Sequence, residues 1–427
     1  MDPSTLDSPP KANEKVYLQH PNSVSVRYPK TKSSEIQDNY FGSIIPAPYR
    51  WLEDKNTPLI QAWLNSQNNL SSNYLNALSQ KKLILERLKE LWNYERYSPP
   101  FKEGDYYYYY YNSGLLDQSI LYQTTDLEKP ETARIILDPN TLFKEERIKI
   151  TDFQFSKSGK YIAFAAMNSD SDWQKIQIIN SKSGAPLTDK IDCLKDSKIA
   201  WYQDGFFYTR LADLFDTKKQ PLKPNEFHQV WYHKLGTLQQ DDQLVFTDPS
   251  HPNNSYQPIV TEDEQILIIS VAASKTGNAI LFKRLTQKNS YLESLVSDFM
   301  NNYEFLGNRK NKLLFRTNYQ APNYQVIEID IYKPQSKNWN ILVPQMPDLL
   351  ETAKIVGNRL LLQFIKDVRH VLKVYEIDGH FVGNLALPDA IGEGTPVTIR
   401  TLKGQRNASI GAFSISSFSL PDSPCLF

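Results

Sequence analysis

Cysteine is almost missing from this 427-residue chain, with Cys193 and Cys425 the only two. That excludes a disulfide framework and fits a reducing cytoplasm, so a cytoplasmic location is expected. No cysteine and histidine pairing has zinc-ligand spacing, and neither a metal nor a cofactor is expected. Net charge is missing too, because 48 Lys and Arg side chains balance 48 Asp and Glu. Nothing therefore draws the chain toward phosphate backbones or anionic lipid, and neither nucleic acid nor a membrane is an expected partner. No apolar run approaches the ~18 residues of a membrane span, and the opening M-D-P-S-T-L-D-S-P-P-K lacks the charged and then apolar pattern of a signal peptide.

What is present falls into three parts. Residues 1–27 are rich in Pro, Ser and Asn and poor in apolar pattern, which predicts a disordered leader. Residues 28–96 predict a helical arm. Thr57 reads as an N-cap and Pro58 as the first helical residue, and Leu59, Trp63, Leu70, Tyr74 and Leu78 follow at near-helical spacing. Ser79 can cap a second helix whose apolar stripe is Leu83, Ile84, Leu88, Leu91 and Trp92. From 97 to 427 the pattern turns to short β-rich runs separated by Gly, Asn, Asp and Ser turns.

A strand, tight turn and strand unit recurs in that third part. It begins near 97, 153, 199, 259, 303, 353 and 398, as in F-Q-F-S-K-S-G-K-Y-I-A-F and A-K-I-V-G-N-R-L-L-L-Q-F. A period of roughly 40–50 residues with about four strands per unit is the mark of a propeller, and seven starts imply seven blades. The run D-Y-Y-Y-Y-Y-Y-N, Asp105 to Asn112, supports this. Alternate strand side chains point to opposite faces, so six tyrosines need cover on both. A blade packed between two others provides that cover, whereas a nucleic-acid or sugar platform would not suit the neutral charge. A sandwich of consecutive hairpins is the structural alternative. A unit starting near 398 has too little chain for four strands, so the last blade is expected to be incomplete.

Several segments then resemble the prolyl oligopeptidase family of serine peptidases. They are P-Y-R-W-L-E-D (Pro48 to Asp54), F-S-K-S-G-K-Y (Phe155 to Tyr161), S-D-S-D-W (Ser169 to Trp173) and T-N-Y-Q-A-P-N-Y-Q-V (Thr317 to Val326), in family order over about 28 to 418. The resemblance implies a mainly β fold, a seven-bladed propeller preceded by an N-terminal helical arm that packs on an α/β-hydrolase domain bearing a Ser, Asp, His triad. It also implies hydrolysis of short peptides after proline by an activated serine. The hydrolase domain is absent from these residues. A nucleophile elbow needs Gly-x-Ser-x-Gly, and no such pentapeptide occurs. None of His20, His228, His233, His251, His370 and His380 matches a family catalytic position, so no catalytic residue is assigned.

The remaining expectations concern the channel mouth. The resemblance implies that short peptides pass there and that two wall positions correspond to Asp196 and Lys275, both charged where the family is apolar. These are the candidate substrate-binding residues, with a surface-turn reading beside them. Trp173, Trp201 and Trp231 read as core. His228 and His233 fall on opposite faces of one strand and share no ion. T-E-D-E (Thr261 to Glu264) and R-K-N-K (Arg309 to Lys312) read as solvated turns, and Glu53 with Asp54 as structural rather than as a glycosidase pair. The expected function is the substrate-gating propeller portion of a prolyl oligopeptidase-like peptidase, inactive alone, with a separate hydrolase-domain chain as a candidate partner. A stand-alone peptide- or protein-binding propeller and a truncated product without function are the alternatives.

Overall fold

The protein is seen here as a computed structural model that describes residues 27–54, 57–142, 148–168, 172–211, 228–273, 276–388 and 395–427. The expected leader lies outside these, apart from its last residue. The chain divides into two compact units, Met1–Trp92 and Asn93–Phe427.

The first unit holds two helices, α1 (Pro58–Ala77) and α2 (Gln80–Trp92), and a short hairpin of Gln37–Tyr40 with Ser43–Pro46. Thr57 caps α1 as its sequence predicts, its hydroxyl accepting from the Ile60 N–H. The P-Y-R-W-L-E-D segment is a structural clasp. Arg50 bonds both Asp38 and Glu53, and Trp51 meets Trp63 edge to face with centroids 6.4 Å apart. The indole N–H groups donate to the Lys32 carbonyl and the Thr31 hydroxyl. Glu53 is thus held by an arginine, as a structural role requires. The α2 stripe is open: Leu83 is 69% and Trp92 62% exposed, and Ile84, Leu88 and Leu91 are exposed with them.

The second unit is a seven-bladed β-propeller. Its blades span 96–137, 148–194, 200–247, 255–296, 303–343, 349–384 and 398–426, and the recurring hairpins of the sequence are the first two strands of each. Blades two to six are four-stranded antiparallel sheets in simple chain order. Blade one carries an extra short strand because Pro99-Pro100, which lacks both N–H groups, splits its first strand in two, Arg96–Tyr97 and Phe101–Glu103. Blade seven has three strands, ending at Ser423–Leu426.

Near-continuous apolar runs become intelligible once each blade has a neighbour on both faces. Along Tyr161–Asn168 of blade two, Ile162, Phe164 and Ala166 enter the core shared with blade one, while Ala163 and Ala165 enter the core shared with blade three. Leu313 and Phe315 likewise face blade four and Leu314 faces blade six. Each fully buried Phe or Leu contributes roughly 1.5–3 kcal/mol by removal from water. The tyrosine run obeys the same rule on one face: Tyr108 and Tyr110 meet Phe155 and Phe153 of blade two at centroid distances of 4.7 and 6.2 Å. Its other face is less covered. Tyr109 and Tyr111 pack on Tyr97 and Tyr122 of their own sheet, and the Tyr111 hydroxyl reaches the Glu95 carboxylate at 2.9 Å.

The seam between blades seven and one differs from the rest. Six apolar clusters join the consecutive blades from one to seven. Among the described residues the seventh seam has none of comparable kind. It closes where Ser423–Leu426 touches Arg96–Tyr97, where the Gln405 amide donates to Glu103 at 2.6 Å, and where Lys403 lies 5.2 Å over the Phe101 ring. Among the described residues the outer strand of blade seven is paired on one side only. Gly411 and Phe427 exchange both backbone bonds, so the alternation of the ladder turns Pro424 and Leu426 outward. Proline has no N–H to offer there, which blunts the edge.

Candidate functional site at the axial mouth

Each blade turns from its first to its second strand at the same end of the ring. Gly104, Gly159, Gln203, Glu264, Lys310 and Asn358 take these turns in the left-handed region, with φ of 60°, 67°, 49°, 55°, 55° and 60°. The repeated geometry brings residues far apart in sequence together around the axis. Lys157, Asp263, Lys310, Asn358 and Arg406, from five different blades, line one cavity of about 840 Å³.

Polar bonds hold the turns in place. Gln203 N–H donates to Glu264 Oε1 at 2.9 Å, and Asn308 Nδ2 donates to Asp263 Oδ2 at 2.7 Å. Gly357 N–H donates to the Gln405 carbonyl at 3.1 Å. Two further bonds skip a blade: Lys157 Nζ donates to the Glu262 carbonyl, and Arg406 donates to the Asn308 carbonyl. They draw blade two to blade four and blade seven to blade five, and so narrow this mouth. The turns read from sequence as merely solvated are therefore built parts of it. Burial alone would raise the Asp263 pKa, yet its bonds from Thr261 and Asn308 outweigh that and hold it low. Arg309 and Lys312 both grip Glu328, whose side chain is buried. Burial would raise the Glu328 pKa, but the two cations keep it below the usual range.

Glu103 and Lys403 stand at the polar seam, on the first strands of blades one and seven, and Lys354 reaches toward them from the first strand of blade six, donating to the Leu402 carbonyl. Burial, then repulsion from Lys403, lowers the Lys354 pKa to about 8 against the pull of Glu103. Burial lowers Lys403 and raises Glu103. Sequence reasoning missed all three, since a lone Lys or Glu in a β-run carries no signal of its own.

The candidates named from sequence lie elsewhere. Asp196 is an exposed residue with φ 47°, on the connection from Pro186–Leu194 to Ala200–Tyr202, at the opposite end of the strands from the cavity. Lys275 lies outside the described residues. Trp201 is core, with its N–H on the Gln154 carbonyl, and Trp231 is partly buried beneath Arg210. Trp173 corrects the core reading: it is 43% exposed, because it sits at the start of a blade strand beside Lys195 rather than between sheets.

His233 was legible only as a strand residue, yet it is bridged on both sides. Nδ1 lies 2.7 Å from Asp242 Oδ1 and Nε2 lies 3.1 Å from Asp189 Oδ1, with all three side chains buried. Burial would lower its pKa, but the two carboxylates overcome that and raise it. His228, on the other face, is held low by burial. Among the described residues no histidine bonds a serine hydroxyl, and no group of His, Cys, Asp and Glu is arranged to hold a metal ion. No described helix is long and apolar enough to cross a membrane. The arrangement can bind and orient through hydrogen bonds and charge.

Comparison with known proteins agrees with this geometry. The family model described as "Prolyl oligopeptidase, N-terminal beta-propeller domain" matches residues 28–424. A prolyl endopeptidase of Elizabethkingia miricola is 30% identical over 375 residues, covering 88% of this chain and 52% of that protein. Prolyl oligopeptidase A of Amanita bisporigera is 28% identical, covering 91% and 55%. A solved prolyl endopeptidase superposes with a TM-score of 0.70 at 27% identity over 94% of this chain and 57% of its own. Prolyl oligopeptidase B from Galerina marginata, bound to a 25mer macrocyclization substrate, shares the fold with a TM-score of 0.83 at 23% identity, over 94% and 58%. The chain spans about half the length of these relatives.

Proposed function

The chain belongs to the prolyl oligopeptidase family, matching its N-terminal β-propeller domain, and from that premise we propose that it is the substrate-gating portion of a peptidase that cuts short peptides after proline. The observation that carries this reading is the family match over 28–424, beside an axial mouth lined by polar turn residues of five blades. The serine, acid and histidine of such a reaction would come from a hydrolase half, supplied by a separate chain or by further sequence. Support comes from the open stripe of α2, an apolar face of the kind that seats a partner domain. The role of this chain is then to exclude large substrates, while acyl transfer belongs to the other half.

On its own the chain should release no p-nitroaniline from a proline-containing chromogenic peptide. Release that a serine-directed inhibitor abolishes would overturn the proposal. The six apolar inter-blade cores favour a second reading, a stand-alone peptide-binding ring, because the ring packs without a further chain. Addition of a relative's hydrolase domain separates the two. Inhibitor-sensitive turnover that exceeds that of the hydrolase domain alone supports the first reading, and binding without turnover the second.

A further inference from the structure

The charge around Glu103 does not balance. Lys157, Lys354 and Lys403 all act on that neighbourhood, and the carboxylates facing it are Glu103 and Glu262. Three ammonium groups meet two carboxylates in a chain whose totals cancel. Glu103 is moreover engaged by the Gln405 amide, and Lys157 is turned to a backbone carbonyl.

The donors are unbalanced as well. Each ammonium carries three N–H donors. Lys354 Nζ donates to the Leu402 carbonyl at 3.1 Å, and Lys403 lies over the Phe101 ring with no hydrogen-bond acceptor among the described residues. Both side chains are half-buried; Lys403 lies at the seam that lacks an apolar core, and Lys354 reaches from blade six to the backbone of the same blade-seven strand, one residue before Lys403. Holding two ammonium groups close together in a half-buried site is unfavourable unless an anion completes them. The cavity at the mouth supplies a route, since Lys157 and Glu262 belong both to its lining and to the surroundings of Glu103.

We propose that Lys354 and Lys403 form a carboxylate receptor on the propeller axis, and that its ligand is the C-terminal carboxylate of a short peptide. The choice of a peptide rests on the channel reading above, whereas the receptor does not and is addressed by acetate alone. The carboxylate accepts from both ammonium groups and restores neutrality to the cluster, so one end of an entering peptide is tethered at the seam.

Reductive methylation of the full chain near neutral pH, mapped by peptide mass spectrometry, tests this. Acetate in the millimolar range, against chloride at equal ionic strength, should slow dimethylation of Lys354 by about threefold or more. The exposed Lys182 reports general effects and should not change. A tripeptide with a free C-terminus should protect at lower concentration than acetate, and its C-terminal amide should not protect. Lys403→Met, which keeps the alkyl stem on Phe101, should abolish the protection by acetate. No protection by acetate or by the free peptide overturns the receptor. Protection by acetate with equal effects of acid and amide overturns the peptide assignment and leaves the anion receptor standing. Stronger protection by inorganic phosphate than by either carboxylate overturns the carboxylate assignment. Competition on the unmodified chain decides the matter even where the variant fails to fold.

Discussion

Replacing His233 with glutamine should cost the propeller several kcal/mol and reshape its pH dependence. Both ring nitrogens face carboxylates, Asp242 at 2.7 Å and Asp189 at 3.1 Å, so only the doubly protonated imidazolium donates to both. Asp242 also accepts from the Tyr208 hydroxyl at 2.6 Å, and Asp189 from the Gly236 N–H. The bridge joins the outer strand of blade two to blade three. Breaking a fully buried pair of this kind costs about 3–5 kcal/mol, because the charges left behind have no water. The folded pKa of His233 is raised, so its contribution is complete below the unfolded value of about 6.5 and is lost as pH rises through the folded value. The slope approaches about 1.4 kcal/mol per pH unit between the two. His228 acts in the other window: its pKa is lowered, so its cost falls as pH climbs toward about 6.5. Urea unfolding followed by tryptophan fluorescence from pH 5 to 9 should show wild-type stability falling above about pH 7, a fall that His233→Gln removes. A variant within about 1 kcal/mol of wild type at pH 6.5, or one that keeps the alkaline decline, would refute the reasoning.

Three further outcomes are expected. Phe164→Ala removes a ring with no solvent contact from the core between blades one and two and should lower unfolding free energy by about 3–5 kcal/mol, read from the urea midpoint. Gly379→Ala should destabilise by about 1–3 kcal/mol, since the residue sits at φ 98° and an added Cβ would meet the Leu342 carbonyl of blade five at 2.1 Å; an unchanged melting temperature would show that the turn gives way. Pro424→Thr restores an outward N–H to the outer edge of blade seven and should raise concentration-dependent self-association in sedimentation velocity, whereas an unchanged profile would mean that the edge is guarded by something other than the proline.

Much of the architecture was readable because hairpins are local. The seven strand, turn and strand units fall where the apolar runs and turn residues place them, and Thr57-Pro58 starts its helix where capping chemistry says it should. The tyrosine run forms a strand as its sequence predicts, with one face against blade two, whereas Tyr109 and Tyr111 on the other pack within their own sheet instead of against blade seven. The site was far less legible. Asp263 looks solvated in a row of acidic turn residues, yet its role depends on Asn308, a blade away. Trp173 departs from the core expectation because its exposure depends on where a strand begins rather than on residue type.

Local pattern, then, was enough for strand period, hairpin spacing, helix caps and a two-sided demand for burial, all of which act over a few neighbouring residues. Ring closure was beyond its reach. Gln405 and Glu103 meet across 302 positions, and a seam made of charge instead of apolar side chains exists only because the last blade returns to the first. Hydrophobic burial is non-directional and leaves a periodic trace along the chain, whereas a hydrogen bond or an ion pair is defined by the partner that folding brings to it.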